Sequence, residues 1–292
     1  MLDIPIQALM GQLLIGLING SFYALLSLGL AVIFGLLNII NFAHGAFYMM
    51  GAFGAYLLLN KLGLNYWLSL IVAPVLIGAI GAVLERTMLK RLYQLDHLYG
   101  LLLTFGLALI IQGLFRNQYG SSGLPYAIPS QLQGGTNLGF MFLPNYRAWV
   151  VVASLVVCLA TWFVIEHTRL GGYLRAATEN PQLVQAFGIN VPRMVTLTFG
   201  FGVALAALAG VMAAPIYQVN PLMGEQIIIV VFAVVVIGGM GSIMGAIVTG
   251  FGLGLIEGLT KVFYPQASTT AIFIIMTIVL LVRPAGLFGA QK

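Results

Sequence analysis

Eight apolar stretches, at roughly 6–37, 44–60, 66–84, 98–115, 148–165, 195–214, 226–259 and 269–283, take up most of this 292-residue chain. A helix needs about 20 apolar residues to cross a bilayer. The chain is 61% hydrophobic and only 7% charged, against about 25% charged in a soluble domain. No soluble core of this size could cover so much apolar surface, so the solvent must be lipid. In lipid each backbone polar group must be satisfied internally, which favours helices. The expected fold is all-α and polytopic, with roughly eight to ten membrane segments. The expected organisation is a single transmembrane domain over residues 1–292, with no stretch polar enough for a soluble one. The 36 glycines fit, because membrane helices use small residues to bring backbones close.

The first and seventh stretches exceed 30 residues, or roughly 45–50 Å at 1.5 Å per residue. Each is too long for one upright crossing of a ~30 Å core. Each carries an interruption: Asn19-Gly20-Ser21 in the first, Gly238-Gly239-Met240-Gly241-Ser242 in the seventh. Broken or re-entrant helices are expected at both. Irregular backbone at membrane depth persists only where protein buries it or water lines it. Asn19, Gly239 and Gly241 are therefore candidate pathway residues. The pairs Gly16/Gly20, Gly241/Gly245 and Gly254/Gly258, and the ladder Gly202, Ala206, Gly210, read as packing faces. Asn38, Asn41 and His44 bring two amides and an imidazole between apolar runs. Such groups turn toward protein. They line a pathway or gate, or they clasp two helices at the membrane edge; the clasp is favoured. His44 has no carboxylate or second histidine nearby, so no metal is expected. Gly45–Leu57 and Gly241–Leu255 are both glycine-spaced and both follow an interruption, as two related halves would be and as any two glycine-rich membrane helices would look.

Charge sets orientation. Arg86, Lys90 and Arg91, then Arg169, Arg175 and Arg193, then Arg283 and Lys292 make up eight of the twelve basic residues, and these three regions are placed in the cytoplasm. Lys61, Arg116, Arg147 and Lys261 fall on the other side. The stretch from Asn117 to Tyr146 has no charged residue and is rich in Gly, Pro, Ser and Gln, as an ordered external loop would be. The net charge of +5 is scattered, so nucleic acid is not an expected partner. The acids have basic neighbours: Glu85 beside Arg86, Glu166 three before Arg169, Glu257 four before Lys261. Local pairing is their default reading. No isolated acid stands mid-membrane, which argues against ion coupling. The lone Cys158 excludes an internal disulfide, and the start, MLDIPIQALMGQ, has no positive n-region or small-residue cleavage site.

Residues 169–193, RLGGYLRAATENPQLVQAFGINVPR, form a hydrophilic island. Asn180-Pro181 reads as a helix start, Gly188 as its stop, and Pro192 opens the next segment. Leu183 and Phe187 lie one turn apart on the short helix between them. Arg175 and Glu179 are spaced to pair along a helix. A two-turn helix is not stable alone in water and must pack on something. It is either a docking helix for a groove in a cytoplasmic partner or an ordinary loop on the membrane surface.

The stretches Gly16–Phe53, Glu179–Asn190, Ala204–Pro215 and Gly238–Leu259 resemble the H-type permease subunit of the branched-chain amino-acid ABC importers, and the resemblance runs over essentially the whole chain. INFAHG (Ile40–Gly45) and AFGIN (Ala186–Asn190) are its more specific marks. The resemblance implies a transmembrane permease domain with a cytoplasmic coupling loop at 169–193. Within that loop Arg175, Glu179, Asn180, Leu183, Phe187 and Gly188 would carry motion from an ATPase. It further implies a second, related permease subunit in a heterodimer, two cytoplasmic ATPase subunits and an external substrate-binding protein, in the bacterial inner (plasma) membrane. No G-x-x-x-x-G-K-[ST] stretch is present, so ATP would be bound by the partners, and no cofactor or enzymatic activity is expected of this chain. The cargo would be branched-chain or related amino acids. Urea or short amides, or passive passage of a small neutral solute, are the alternatives; a secondary transporter would need a coupling acid.

Overall fold

The computed structural model describes residues 5–37 and 40–289. In chain order the helices are α1 (Ile6–Leu37), α2 (His44–Leu62), α3 (Tyr66–Thr87), α4 (His97–Tyr119), α5 (Asn145–His167), α6 (Arg169–Glu179), α7 (Pro181–Ala186), α8 (Val191–Tyr217), α9 (Met223–Gly238), α10 (Ile243–Phe263) and α11 (Ser268–Val282). Among the described residues seven helical segments are long and apolar enough to cross a membrane. Counted with the 19-residue α2 and the 16-residue α9, which fall short of that mark, the number of segments roughly fits the range expected. The uncharged stretch between α4 and α5 contains one small hairpin, β1 (Gly135–Asn137) antiparallel to β2 (Phe142–Pro144), with Gly135 opposite Pro144.

The chain forms two compact units, one from residues 1–27, 127–158 and 229–292, the other from residues 28–126 and 159–228. In the first, α1 meets α10 through glycine on both sides. Gly16 and Gly20 lie on the backbone of Gly254, Gly258 and Phe251, and Gly250 lies on Ala24. A Cβ on Gly254 would overlap the Gly16 carbonyl and the Gly20 backbone. Val230, Ala233, Val234, Ile237, Leu253 and Ile272 form the apolar core from α9, α10 and α11. Beside it Tyr23 Oη donates to Glu257 Oε2 at 2.7 Å, and Lys261 pairs with Glu257 Oε1 at 2.6 Å, the pairing the four-residue spacing suggested.

One expected interruption is absent. Helix α1 runs unbroken through Asn19-Gly20-Ser21. Ser21 Oγ donates back to the Leu17 carbonyl at 3.0 Å, which keeps its polar group within the helix, and Gly20 is a notch for the α10 backbone. At about 1.5 Å per residue this helix exceeds the ~30 Å hydrocarbon core, so it must tilt or project. The other interruption is real. Gly239 (φ 102°) and Gly241 (φ 88°) turn the chain between α9 and α10. Ser242 then caps α10, its Oγ accepting from Gly245 N at 3.0 Å. Gly241 therefore serves the turn and not a helix-packing pair with Gly245. The last carbonyls of α9 are met from the C-terminal segment: Leu287 N donates to Ile237 O at 2.8 Å and Phe288 N to Gly238 O at 3.0 Å.

In the second unit α8 is the hub. Gly51 of α2 lies on Ala207, Gly210 of α8 lies on Tyr48, and Gly78 of α3 faces Gly200. Helix α4 joins through aromatic contacts, Phe53 to Phe115 at 4.7 Å and to Tyr119 at 5.0 Å between centroids. Its remaining surface is largely exposed apolar side chains, including Leu102, Leu109 and Leu114, as suits a lipid-facing helix.

The glycine contact gives a paired test. Gly254→Ala should destabilise the detergent-solubilised protein by about 1–3 kcal/mol through overpacking. Gly252→Ala, two residues along α10 with open space around it, should leave the melting temperature unchanged or raised. Equal melting temperatures for the two variants would contradict the packing account.

Candidate coupling site and membrane interruptions

The hydrophilic island folds into α6, α7 and the start of α8. Asn180 does two jobs at the joint. Its N–H donates to Ala176 O at 3.0 Å and ends α6, and its Oδ1 accepts from Leu183 N at 3.0 Å and starts α7. Pro181 occupies the first turn, where the missing N–H is not needed. Gly188 ends the helix at φ 82°. Asn190 repeats the cap, accepting from Arg193 N at 3.0 Å, and opens α8. Each boundary read from the sequence is where the structure has it.

The short helix is anchored on one side only. Val184 is buried with Ala177 of α6 and Val191 of α8, and Ile189, Met194 and Val195 pack against the three. Leu183 and Phe187 are 55% and 78% exposed. Two large apolar side chains held outward on a capped helix are the components of a docking knob. Val184, the anchor, is not singled out by the sequence, since a lone valine among polar residues carries no periodic signal.

Arg175 does not pair with Glu179. Its Nη1 donates to Glu166 Oε2 at 3.2 Å and to the Ile165 carbonyl at 3.1 Å. The chain folds back between α5 and α6, and Gly171 lies directly on the Ile165 carbonyl, where no Cβ would fit. Arg175 thus reaches the last turn of α5, whose carbonyls lack helical partners and favour a cation. This also replaces the Glu166–Arg169 pairing suggested by spacing. Both partners are about half exposed, so the pair contributes at most about 1 kcal/mol. Glu179 is exposed at the end of α6. Glu85 does not pair with Arg86 either: adjacent helix positions point apart. Glu85 is buried and Arg86 exposed.

The interruption residues divide between the units. Asn19 is half-buried within α1, and Gly239 and Gly241 form the α9–α10 turn. Asn38 lies outside the described residues. Asn41 and His44, both fully buried, belong to the segment leading into α2. Thr104 of α4 stitches that segment: its Oγ1 accepts from Phe42 N at 3.2 Å, and its one hydroxyl proton has two acceptors in reach, Leu101 O at 3.0 Å and Ile40 O at 3.3 Å. The His44 ring packs against Gly29 of α1. His44 is therefore part of a helix clasp. The Asn41 amide differs: neither its oxygen nor its nitrogen has a hydrogen-bond partner. Next to Phe42 a cleft of about 130 Å³ opens between α2, α4 and the start of α9. Its walls include Phe42, Met49 and Phe105, and Gln112 Nε2 donates to Glu225 Oε2 at 2.8 Å in its lining.

Residues 12–282 match the family described as "Branched-chain amino acid transport system / permease component". The chain belongs to this family. Among relatives, the high-affinity branched-chain amino acid transport system permease protein LivH of Salmonella typhimurium is 31% identical, with 96% of each chain aligned. BraD of Pseudomonas aeruginosa, described as the permease of such a system, is also 31% identical over 96% of both chains. LivM of Escherichia coli, a permease protein of the same kind of system, is 29% identical over 92% of this chain and 68% of its own. Among solved structures, PsaBC from Streptococcus pneumoniae in complex with Fab aligns at TM-score 0.46 and 15% identity, covering 92% of this chain and 89% of that one. As a permease component the chain is a multi-pass membrane protein, and the stretch INFAHG (Ile40–Gly45) contains the segment that Thr104 stitches.

A buried amide with no partner costs about 1–3 kcal/mol. Asn41→Leu, close in volume and apolar, should therefore melt at the same or a higher temperature than the parent. If the amide has a transport role, uptake by the assembled transporter falls at the same time. A clear fall in melting temperature would mean that Asn41 is held by structural bonds.

Proposed function

We propose that this permease is one half of the membrane pathway of an ATP-driven importer that carries branched-chain or related amino acids into the cytoplasm of a bacterium. The observation that carries the reading is α7: a capped helix, anchored by Val184, with Leu183 and Phe187 exposed. Family membership supports the cargo class and a place in the inner membrane.

In this reading the partner under α7 is an ATPase subunit, present twice in the assembly. The second half of the pathway is a related permease, for which likeness to both LivH and LivM is the support. An external binding protein delivers the cargo. The energy comes from ATP held by the partners, so this chain performs no chemistry and binds no cofactor. Closure of the ATPase pair moves Leu183 and Phe187, Asn180 and Gly188 keep α7 rigid at its two ends, and the Val184 cluster passes the displacement to α6 and α8. Arg175 ties α6 to α5, so that helix follows, while Glu179 faces the partner from the end of α6. Asn41 is the candidate polar contact along the pathway, with His44 packed in the same unit and Asn38 near it in sequence; in the other unit Asn19, Gly239 and Gly241 remain candidate pathway residues. A pathway this poor in charge suits a zwitterion better than an ion.

Leu183→Asp and Phe187→Asp should each lower uptake at least about tenfold, as loss of a central apolar contact does, with membrane insertion unchanged. Normal uptake by both variants would remove α7 from the coupling role. The cargo is tested in proteoliposomes holding this subunit with its co-expressed partners and the binding protein, offered leucine or urea with and without internal ATP. ATP-dependent leucine accumulation is the expected result. Accumulation of urea alone would change the cargo and keep the machine, and equilibration without ATP would leave a passive facilitator.

A further inference from the structure

Glu85 lies in the last turn of α3 and is 1% exposed. Each of its carboxyl oxygens meets one neutral hydroxyl. Tyr93 Oη donates to Oε1 at 2.6 Å, and Thr196 Oγ1 lies 2.5 Å from Oε2. Tyr93 belongs to the segment joining α3 to α4. Burial, and then the bond to Glu85, hold its phenol well above the ordinary tyrosine range, so it remains a donor at neutral pH. Thr196 sits in the second turn of α8, one residue past Val195, which packs on the Val184 cluster.

Thr196 has one hydroxyl proton and two acceptors. Besides Glu85, its Oγ1 is 3.1 Å from the carbonyl of Pro192, one turn back in α8. One proton serves one of them at a time. The same hydroxyl is thus within reach of both α8's own first turn and α3. Deeper in the pair the backbones touch at Gly78 and Gly200, where the two helices have no room to slide apart into a new packing. Near the base of the pair the Thr196–Glu85 bond links α3 and α8 through side chains. A carboxyl group in a buried position needs such partners, and a site where they can be exchanged is a local two-arrangement element of the kind that carries coupling.

We infer that Glu85 is a positioning residue for coupling: with Thr196 and Tyr93 it forms a buried clamp through which displacement of α7 and the base of α8 reaches α3. The inference rests on α7 being the ATPase contact. The clamp joins α3 to α8 inside this chain, so its loss separates hydrolysis from transport.

The test uses the complete transporter in proteoliposomes, with ATP hydrolysis and leucine uptake read in the same vesicles for Thr196→Val, Glu85→Gln and Thr196→Ser. For Thr196→Val and Glu85→Gln, uptake per ATP should fall at least about tenfold while hydrolysis stays within about twofold, the signature of a lost coupling free energy. Thr196→Ser retains the hydroxyl and should keep the parental ratio. If Glu85→Gln does not assemble, Thr196→Val and Tyr93→Phe, which remove one hydroxyl each, carry the test. An unchanged uptake-to-hydrolysis ratio, whether both activities persist or both fall, would overturn the clamp. ATPase co-purification with Leu183→Asp and Phe187→Asp separates the two failures: retention with normal uptake refutes the α7 contact, whereas its loss beside an unchanged ratio in the clamp variants refutes only the clamp.

Discussion

Helices in lipid gain nothing from expelling water at their contacts, because hydrocarbon tails are as apolar as leucine. What draws them together is close van der Waals contact, and that depends on how near the backbones can come. In one unit Gly16, Gly20, Gly250 and Gly254 bring α1 and α10 to backbone contact; in the other Gly51 and Gly210 do the same for α2 and α8. The buried pairs and clamps depend on this proximity. Tyr23 reaches Glu257 because α1 and α10 are that close, and Thr196 reaches Glu85 because Gly78 and Gly200 seat α3 on α8.

Polar groups are placed with economy around these contacts. Thr104 receives the Phe42 N–H and reaches the Ile40 carbonyl of the segment before α2 with one hydroxyl. Asn180 closes one helix and opens the next. Arg175 meets an exposed carboxylate and an end-of-helix carbonyl together. Against that background the unpartnered amide of Asn41 stands out as a group whose burial has no structural return within the protein.

The spans were legible because a run of about 20 apolar residues has few other readings. The α7 region was legible because Asn-Pro and Gly specify backbone conformation directly. Misreadings arose where meaning depends on a distant surface. Asn19-Gly20-Ser21 and Gly238–Ser242 look alike as polar, glycine-bearing interruptions. Only the second has two left-handed glycines and a serine cap, whereas in the first the glycine is filled by α10. Arg175 follows the same rule: spacing offered Glu179, but the fold-back after α5 brought Glu166 nearer. Thr104 and Thr196 give no local signal, since each acquires its role from an element remote in sequence, and Val184 acquires its own only when α6 and the start of α8 fold onto α7.

The hydrogen bonds from Leu287 and Phe288 to the end of α9 make the C-terminal segment a stopper for another helix. Its two N–H groups take the place water would have at a helix end in solution. Shortening the chain before residue 287 would therefore not trim a loose tail. It would uncork α9 beside the Gly239 turn and leave two carbonyls to find new donors, at a cost of several kcal/mol each if hydrocarbon is the alternative. An affinity tag placed after residue 289 respects that stopper, and one that replaces the segment removes it.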